Sequence, residues 1–154
     1  FVGSIEETSS ILDRYYGYCR AMREASVTVT EDRILPDRDA EGKVTISLEH
    51  LSKLPTAFAC NCDVTAYVLL NALKENGIRV PEDVSVVGFD DYILADLAVP
   101  SLTTYAIDVD HMAKVSAQQL IRRIQKPEAE VRRIVVSGKL VIRESVQKHS
   151  GNTA

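Results

Sequence analysis

No run in the 154 residues approaches the roughly 20 consecutive apolar residues needed to span a bilayer. A membrane-spanning helix is therefore excluded. An excess of cations is missing too: 22 Asp and Glu outweigh 18 Lys and Arg, for a formal charge of −4. A nucleic-acid duplex is densely anionic, so a chain of this charge does not grip one by itself. Cysteine is scarce. Cys19, Cys60 and Cys62 are odd in number and lack zinc-ligand spacing, which points to free thiols in a reducing cytosol. There is no secretory signal, internal repeat or low-complexity linker. The first residue is Phe1, not Met, so the chain reads as a fragment with part of its function outside it. What is present is 45% hydrophobic and 26% charged residues over about one ordinary domain length.

Phe1-Val2-Gly3 reads as the end of a buried strand. Ile11, Tyr15, Cys19 and Met22 then recur at helical spacing behind Ser9 or Ser10, either of which would cap the helix. A short strand is expected over Arg33-Ile34-Leu35, ended by Pro36, then a charged loop from Asp37 to Gly42. Val44, Leu48 and Leu51 suggest a second helix stopped by Pro55. The centre is clearest. Thr56 to Cys60 is a compact apolar run suited to a strand covered on both faces. A helix follows from Asp63, its expected cap, to Asn76-Gly77, where Gly takes the left-handed conformation easily. Val84 to Phe89 is the most strand-like segment. Strand, helix, strand with short connections implies a parallel sheet and an α/β fold, three layers with helices on both faces. Downstream, a short helix over Tyr92 to Leu97, a strand at Leu102 to Tyr105 and a long helix through Ala113, Ala117, Leu120 and Ile124 are expected. Arg133 to Ser137 and Lys139 to Arg143 read as two strands or one bent pair, and His149 to Ala154 as a mobile polar tail.

Asp90-Asp91 stands at the carboxyl end of a buried strand, the edge where ligands enter open parallel sheets. Asp90 is either a ligand-binding carboxylate or an ordinary helix cap. Asn61-Cys62-Asp63 sits at the matching end of the preceding strand, so the two ends could share a crevice; capping alone also explains Asp63. Arg14, in the first turns of the first helix, either reaches into that crevice or is solvated. Cys60 and Cys62, one residue apart, would point to opposite faces of a strand and form no redox or metal pair. The three histidines have no Ser or Asp partner at motif spacing, and there is no nucleophile elbow, Walker loop or dinucleotide fingerprint. Neither catalysis nor a metal or cofactor is expected.

Several blocks of the chain are recognisable. Leu54-Pro55-Thr56-Ala57-Phe58-Ala59, Asp63-Val64-Thr65-Ala66, the run from Gly77 through Val80-Pro81-Glu82-Asp83-Val84-Ser85-Val86-Val87-Gly88-Phe89 to Asp90-Asp91, and Pro100-Ser101-Leu102-Thr103-Thr104 closely resemble the lactose-repressor/purine-repressor family of bacterial regulators. Arg14-Tyr15-Tyr16-Gly17-Tyr18 and Leu140-Val141-Ile142-Arg143-Glu144-Ser145-Val146 fit as well. The resemblance implies a periplasmic-binding-protein-like effector domain of two α/β lobes, with a small-molecule effector, a sugar or related polar metabolite, in the cleft between them. It further implies a cytoplasmic homodimer that binds operator DNA through an N-terminal helix-turn-helix outside this chain, with no membrane involvement. On the same basis residues 1–104 form the C-terminal lobe, 105–130 an excursion toward the N-terminal lobe, 131–147 the return, and 148–154 a flexible tail. Carried over by position, Arg14 bonds effector hydroxyls or carboxylates and Asp90 accepts from the ligand. Asp63 is a cap or a rim contact. Many members have Asn directly before that aspartate; here Cys62 stands there and the asparagine is Asn61. The loop that often supplies an aromatic platform reads Asp37-Arg38-Asp39, which makes a more polar or cationic effector conceivable.

Two other readings use the same features. A sugar-binding protein of a transport system would share the fold, but free cysteines and the Val80 to Ser85 block disfavour it. A Mg²⁺-dependent enzyme or receiver built on Asp90-Asp91 would need a further carboxylate and a lysine at other strand ends, and that set is missing.

Overall fold

The computed structural model describes residues 1–148 except Glu6, His50 and Ser52. Four strands form one sheet in the order β1 (Ala57–Ala59), β2 (Ser85–Asp90), β3 (Thr103–Ala106), β4 (Lys139–Val141). The first three run parallel, with Phe58 opposite Val86 and Gly88 opposite Thr104, while β4 lies antiparallel on β3. The sheet is thus mixed at one edge rather than wholly parallel. At the other edge Val2 makes parallel bridges to both Cys60 and Leu35, extending the sheet by two short pieces of chain.

The core lies on one face. Ala66, Leu69, Leu70 and Leu73 of α2 (Asp63–Glu75) recur at the helical period and meet Phe58 and Val86, which alternation turns to the same side of the sheet. Each of these leucines stabilises the fold by roughly 1.5–3 kcal/mol. Gly77, at φ +72°, closes α2 as its N–H bonds the Lys74 carbonyl and that of Ile78 bonds Leu73. The short α3 (Ile93–Leu97) packs beside α2. Helix α1 (Ser9–Glu24) flanks the opposite face, where Arg14 lies over Phe89. Helix α4 (Val109–Gln125) has no buried residue, and Val109, Leu120 and Ile124 are exposed.

Ser145 ties the beginning of the sheet together. Its hydroxyl donates to the Val86 carbonyl at 2.6 Å and accepts from the Thr103 amide at 2.8 Å. Its backbone accepts from Val86 N–H and donates to the Ser101 carbonyl. The residue is fully buried and fills the fork between β2 and β3.

Several sequence expectations need correction. Helix α1 is capped by Thr8, whose Oγ1 accepts from the Ile11 amide at 3.2 Å, and not by Ser9 or Ser10. Thr8→Ala is expected to cost about 1 kcal/mol in urea denaturation, and Ser9→Ala less than about 0.5 kcal/mol. Asp63 does not cap α2; Cys62 occupies that position without a side-chain bond to the backbone amides of the first turn. Among the described residues of Val44 to Leu51 no helix forms. The run Val44-Thr45-Ile46 is β-branched, Val44 bridges Arg38, and the Thr45 amide bonds the Asp37 carbonyl. Ile46, Leu48, Leu51 and Leu54 still pack on the core from an irregular chain. In place of a strand at Arg33 to Leu35 there is a 3₁₀ turn, Glu31–Arg33, and a single bridge at Leu35. Residues 133–137 join no ladder among the described residues, because β4 already occupies the edge of β3. Of the tail expected at 148–154, all but Lys148 lies outside the described residues.

Candidate functional site

The carboxyl ends of β1 and β2 and the first turns of α1 meet around Arg14. Its Nη1 donates to the Asn61 carbonyl at 2.6 Å and its Nη2 to Asp90 Oδ1 at 3.1 Å. The guanidinium carbon lies 3.9 Å from the centroid of the Phe89 ring. Both members of the ion pair are partly buried, so solvent screens them less than a surface pair. Burial pushes the Asp90 carboxyl above the ordinary aspartate value; Arg14 draws it down and Asp63 pushes it further up, leaving a net rise.

Asp90 and Asp91 adopt φ +113° and +58°. Positive φ suits Gly, and it is Asp and Asn that most often tolerate the left-handed region. A residue in a sparsely populated region costs about 1–3 kcal/mol and persists only where its surroundings hold it. The two carboxylates part company: Asp90 goes to Arg14, and Asp91 Oδ1 accepts from Arg143 at 2.8 Å.

Asn61 and Asp63 sit differently from the shared rim that their spacing suggested. The Asn61 side chain is buried and donates to Asp37 Oδ2 at 3.1 Å, while its Oδ1 has no partner among the described residues; its backbone carbonyl is what reaches Arg14. The Asp63 carboxylate is 1% exposed beneath the sheet. Its Oδ1 accepts from Thr104 Oγ1 at 2.6 Å and its Oδ2 from the Tyr92 amide at 2.7 Å. Burial raises its proton affinity more than those two bonds lower it. Asp63 thereby anchors the chain just after Asp90-Asp91.

Sequence reasoning missed three groups. Asp37, read as part of a charged loop, is fully buried and accepts from Ser4 N, Ser4 Oγ, Asn61 Nδ2 and Thr65 Oγ1. Arg143, 52 residues from Asp91, left no local signal. The third is an aromatic pair: Phe89 and Tyr105 stack with ring centroids 5.1 Å apart. Their alternation on neighbouring strands was readable, but the pairing register was not. They line a hollow of about 910 Å³ together with Arg14, Tyr18, Met112 and Val135. Arg14 and Tyr105 pack against the Phe89 ring, so the aromatic surface left to a ligand is that of Tyr105, close to a hydrogen-bonding guanidinium, a combination that suits a polar ligand with an apolar face. Among the described residues no cluster of metal-ligating side chains occurs, and no helix is long and apolar enough to cross a membrane.

Residues 1–146 match the periplasmic binding protein-like domain family. Among curated relatives, the HTH-type transcriptional repressor PurR of Vibrio campbellii is 34% identical over 145 residues, which is 92% of this chain and 43% of that protein. Among solved structures, a putative LacI transcriptional regulator from Bacillus cereus subsp. cytotoxis superposes with a TM-score of 0.84 at 25% identity, covering 97% of this chain and 54% of that one. A LacI family regulator from Enterococcus faecium with bound ribose gives a TM-score of 0.78 at 25% identity, with 94% and 55% covered. The chain spans somewhat less than half the length of the curated relatives it matches.

Proposed function

Because the chain belongs to the periplasmic binding protein-like domain family, with PurR- and LacI-type repressors among its relatives, we propose that it is the effector-binding part of a bacterial transcriptional regulator. It binds rather than catalyses. The observation that carries this reading is Arg14, which lines the hollow with Phe89 and also bonds Asp90 and the Asn61 carbonyl. A guanidinium with donors to spare and a carboxylate with a free oxygen can together grade a ligand's hydroxyls or amide groups. The effector is a sugar or related polar metabolite with one stackable face, in keeping with the ribose bound by the Enterococcus faecium regulator and the cellobiose named for another structural neighbour.

In this reading residues 1–104 and 131–147 form one lobe and 105–130 reach toward a second, which would cover the exposed apolar residues of α4. Effector binding favours one arrangement of the lobes by its differential affinity. A cytoplasmic homodimer passes that choice to a DNA-binding segment outside this chain, a division of labour that suits its charge of −4.

A thermal-shift screen with sugars, sugar phosphates, nucleobases and amino acids tests this. An effector at a hundredfold its Kd stabilises the folded state by about 2.7 kcal/mol. Asp90→Ala and Arg14→Ala are expected to abolish the shift. A ligand that stabilises both variants as well as the parent overturns the assignment of the site.

A further inference from the structure

Arg143 takes no part in the candidate ligand site, yet it is the most heavily bonded arginine near it. Its Nη2 lies 2.8 Å from the carboxylates of both Asp91 and Asp96, and its Nη1 donates to the Leu102 carbonyl at 3.0 Å. Its amide bonds Thr103 Oγ1 at 2.9 Å, which fixes the stem of the side chain to β3. Among the described residues it is the cation paired with Asp91. We propose that Arg143 is a positioning residue: by clamping Asp91 in its left-handed conformation, it aims the preceding carboxylate, Asp90, at Arg14.

The argument is geometric. Two successive non-glycine residues hold positive φ, and their carboxylates leave toward two different arginines. The chain on the far side is pinned by the Tyr92 amide on Asp63, and the Asp91 amide makes a long, 3.4 Å bond to Thr104 Oγ1. Return of Asp91 to negative φ would withdraw its carboxylate from Arg143 and swing Asp90 away from Arg14.

The test is made on the full chain without ligand, so its failure is separable from failure of the effector reading on which the inference's functional meaning rests. The Arg14 Nε–Hε resonance, assigned by its disappearance in Arg14→Lys, should be displaced by the Phe89 ring, whose centroid lies 3.9 Å from the guanidinium carbon. Arg143→Met should shift it, because loss of Asp90 from Nη2 leaves the guanidinium held by the Asn61 carbonyl and Phe89 alone. Adding Asp91→Gly, which holds positive φ unaided, should bring it back. Leu73→Ala, a core truncation remote from the turn, should lower the melting temperature and leave the resonance in place. Should Arg143→Met fail to fold, Arg143→Lys keeps the charge without the fork and should displace the resonance part of the way. An unmoved resonance in both Arg143 variants, or equal movement in Leu73→Ala, overturns the proposal. A screen without an Arg14-dependent hit would instead overturn the effector reading and leave this result standing.

Discussion

Asp37→Ala should lose about 3–5 kcal/mol of folding stability, the largest effect expected of any single substitution considered. The carboxylate is fully buried and accepts four bonds, from the amide and hydroxyl of Ser4, the hydroxyl of Thr65 and the side-chain amide of Asn61. Removing it strands those donors at about 1–3 kcal/mol each, less whatever water recovers. Asp37→Asn keeps the shape but turns an amide donor toward one pair of donors, so an intermediate loss is expected. Acidity gives the check. Burial raises the Asp37 carboxyl, but the bonds from Ser4, Thr65 and Asn61 outweigh it and hold the group below the usual aspartate value. A depressed folded value means that the contribution is whole above the unfolded pKa of about 3.9 and disappears as pH falls through the folded one. The stability difference between parent and Asp37→Asn in urea should therefore be flat near neutrality and close only below about pH 4. Asp63 and Asp90 are raised and act in the opposite sense, which is why the difference, and not the parent's own curve, is the quantity to follow. A difference that narrows at alkaline pH would contradict the network.

Gly88→Ala is next, with a loss of about 3 kcal/mol or more. Gly88 needs no unusual backbone angle; it needs the absence of a side chain. A Cβ there would run into Asp63 Oδ1 and stand 2.8 Å from Leu102 Cδ2. Neither neighbour can yield. Leu102 is fully buried, and Asp63 is held by Thr104 and the Tyr92 amide. For a domain of this size the loss corresponds to a fall in Tm of roughly 6–12 °C. Because the clash is with Asp63 itself, Gly88→Ala and Asp63→Ala combined should cost less than their sum. A Gly88→Ala protein melting within about a degree of the parent would show that Asp63 is free to move.

These residues also mark where reading the chain succeeds and fails. Helix α2 and strand β2 were legible because their apolar periods and the Asn76-Gly77 stop lie within the segments themselves. The stop of β2 at Asp90 was legible for the same reason. The function of Asp63 was not, since its partners are 29 and 41 residues further on. Asp37 was hidden by its neighbours: Arg38, Asp39 and Glu41 make the segment look solvated, and only Ser4, Asn61 and Thr65, 24 to 33 residues away, explain the burial. The absent helix after Val44 shows a different failure. Apolar spacing reports which residues seek the core, and Ile46, Leu48 and Leu51 reach it without a helix. Of the candidate site, Arg14 and Asp90 were named through the family resemblance, their residue types alone leaving a cap and a solvated arginine equally open, while the aromatic pair of Phe89 and Tyr105 depended on strand register.

The Ser145 wedge bears on the order in which the protein comes into being. Its bonds to Thr103 and Val86 span 42 and 59 residues, among the longest sequence separations in the fold, and such contacts form late because the intervening loop must first be closed. On a ribosome β1, β2 and β3 all emerge well before Ser145. Until it arrives, the Thr103 amide and the Val86 backbone at the fork lack their partners, so the nascent sheet stays unfinished at its origin. The β2–β3 pair is thus welded by a hydroxyl that synthesis delivers after both of the strands it joins.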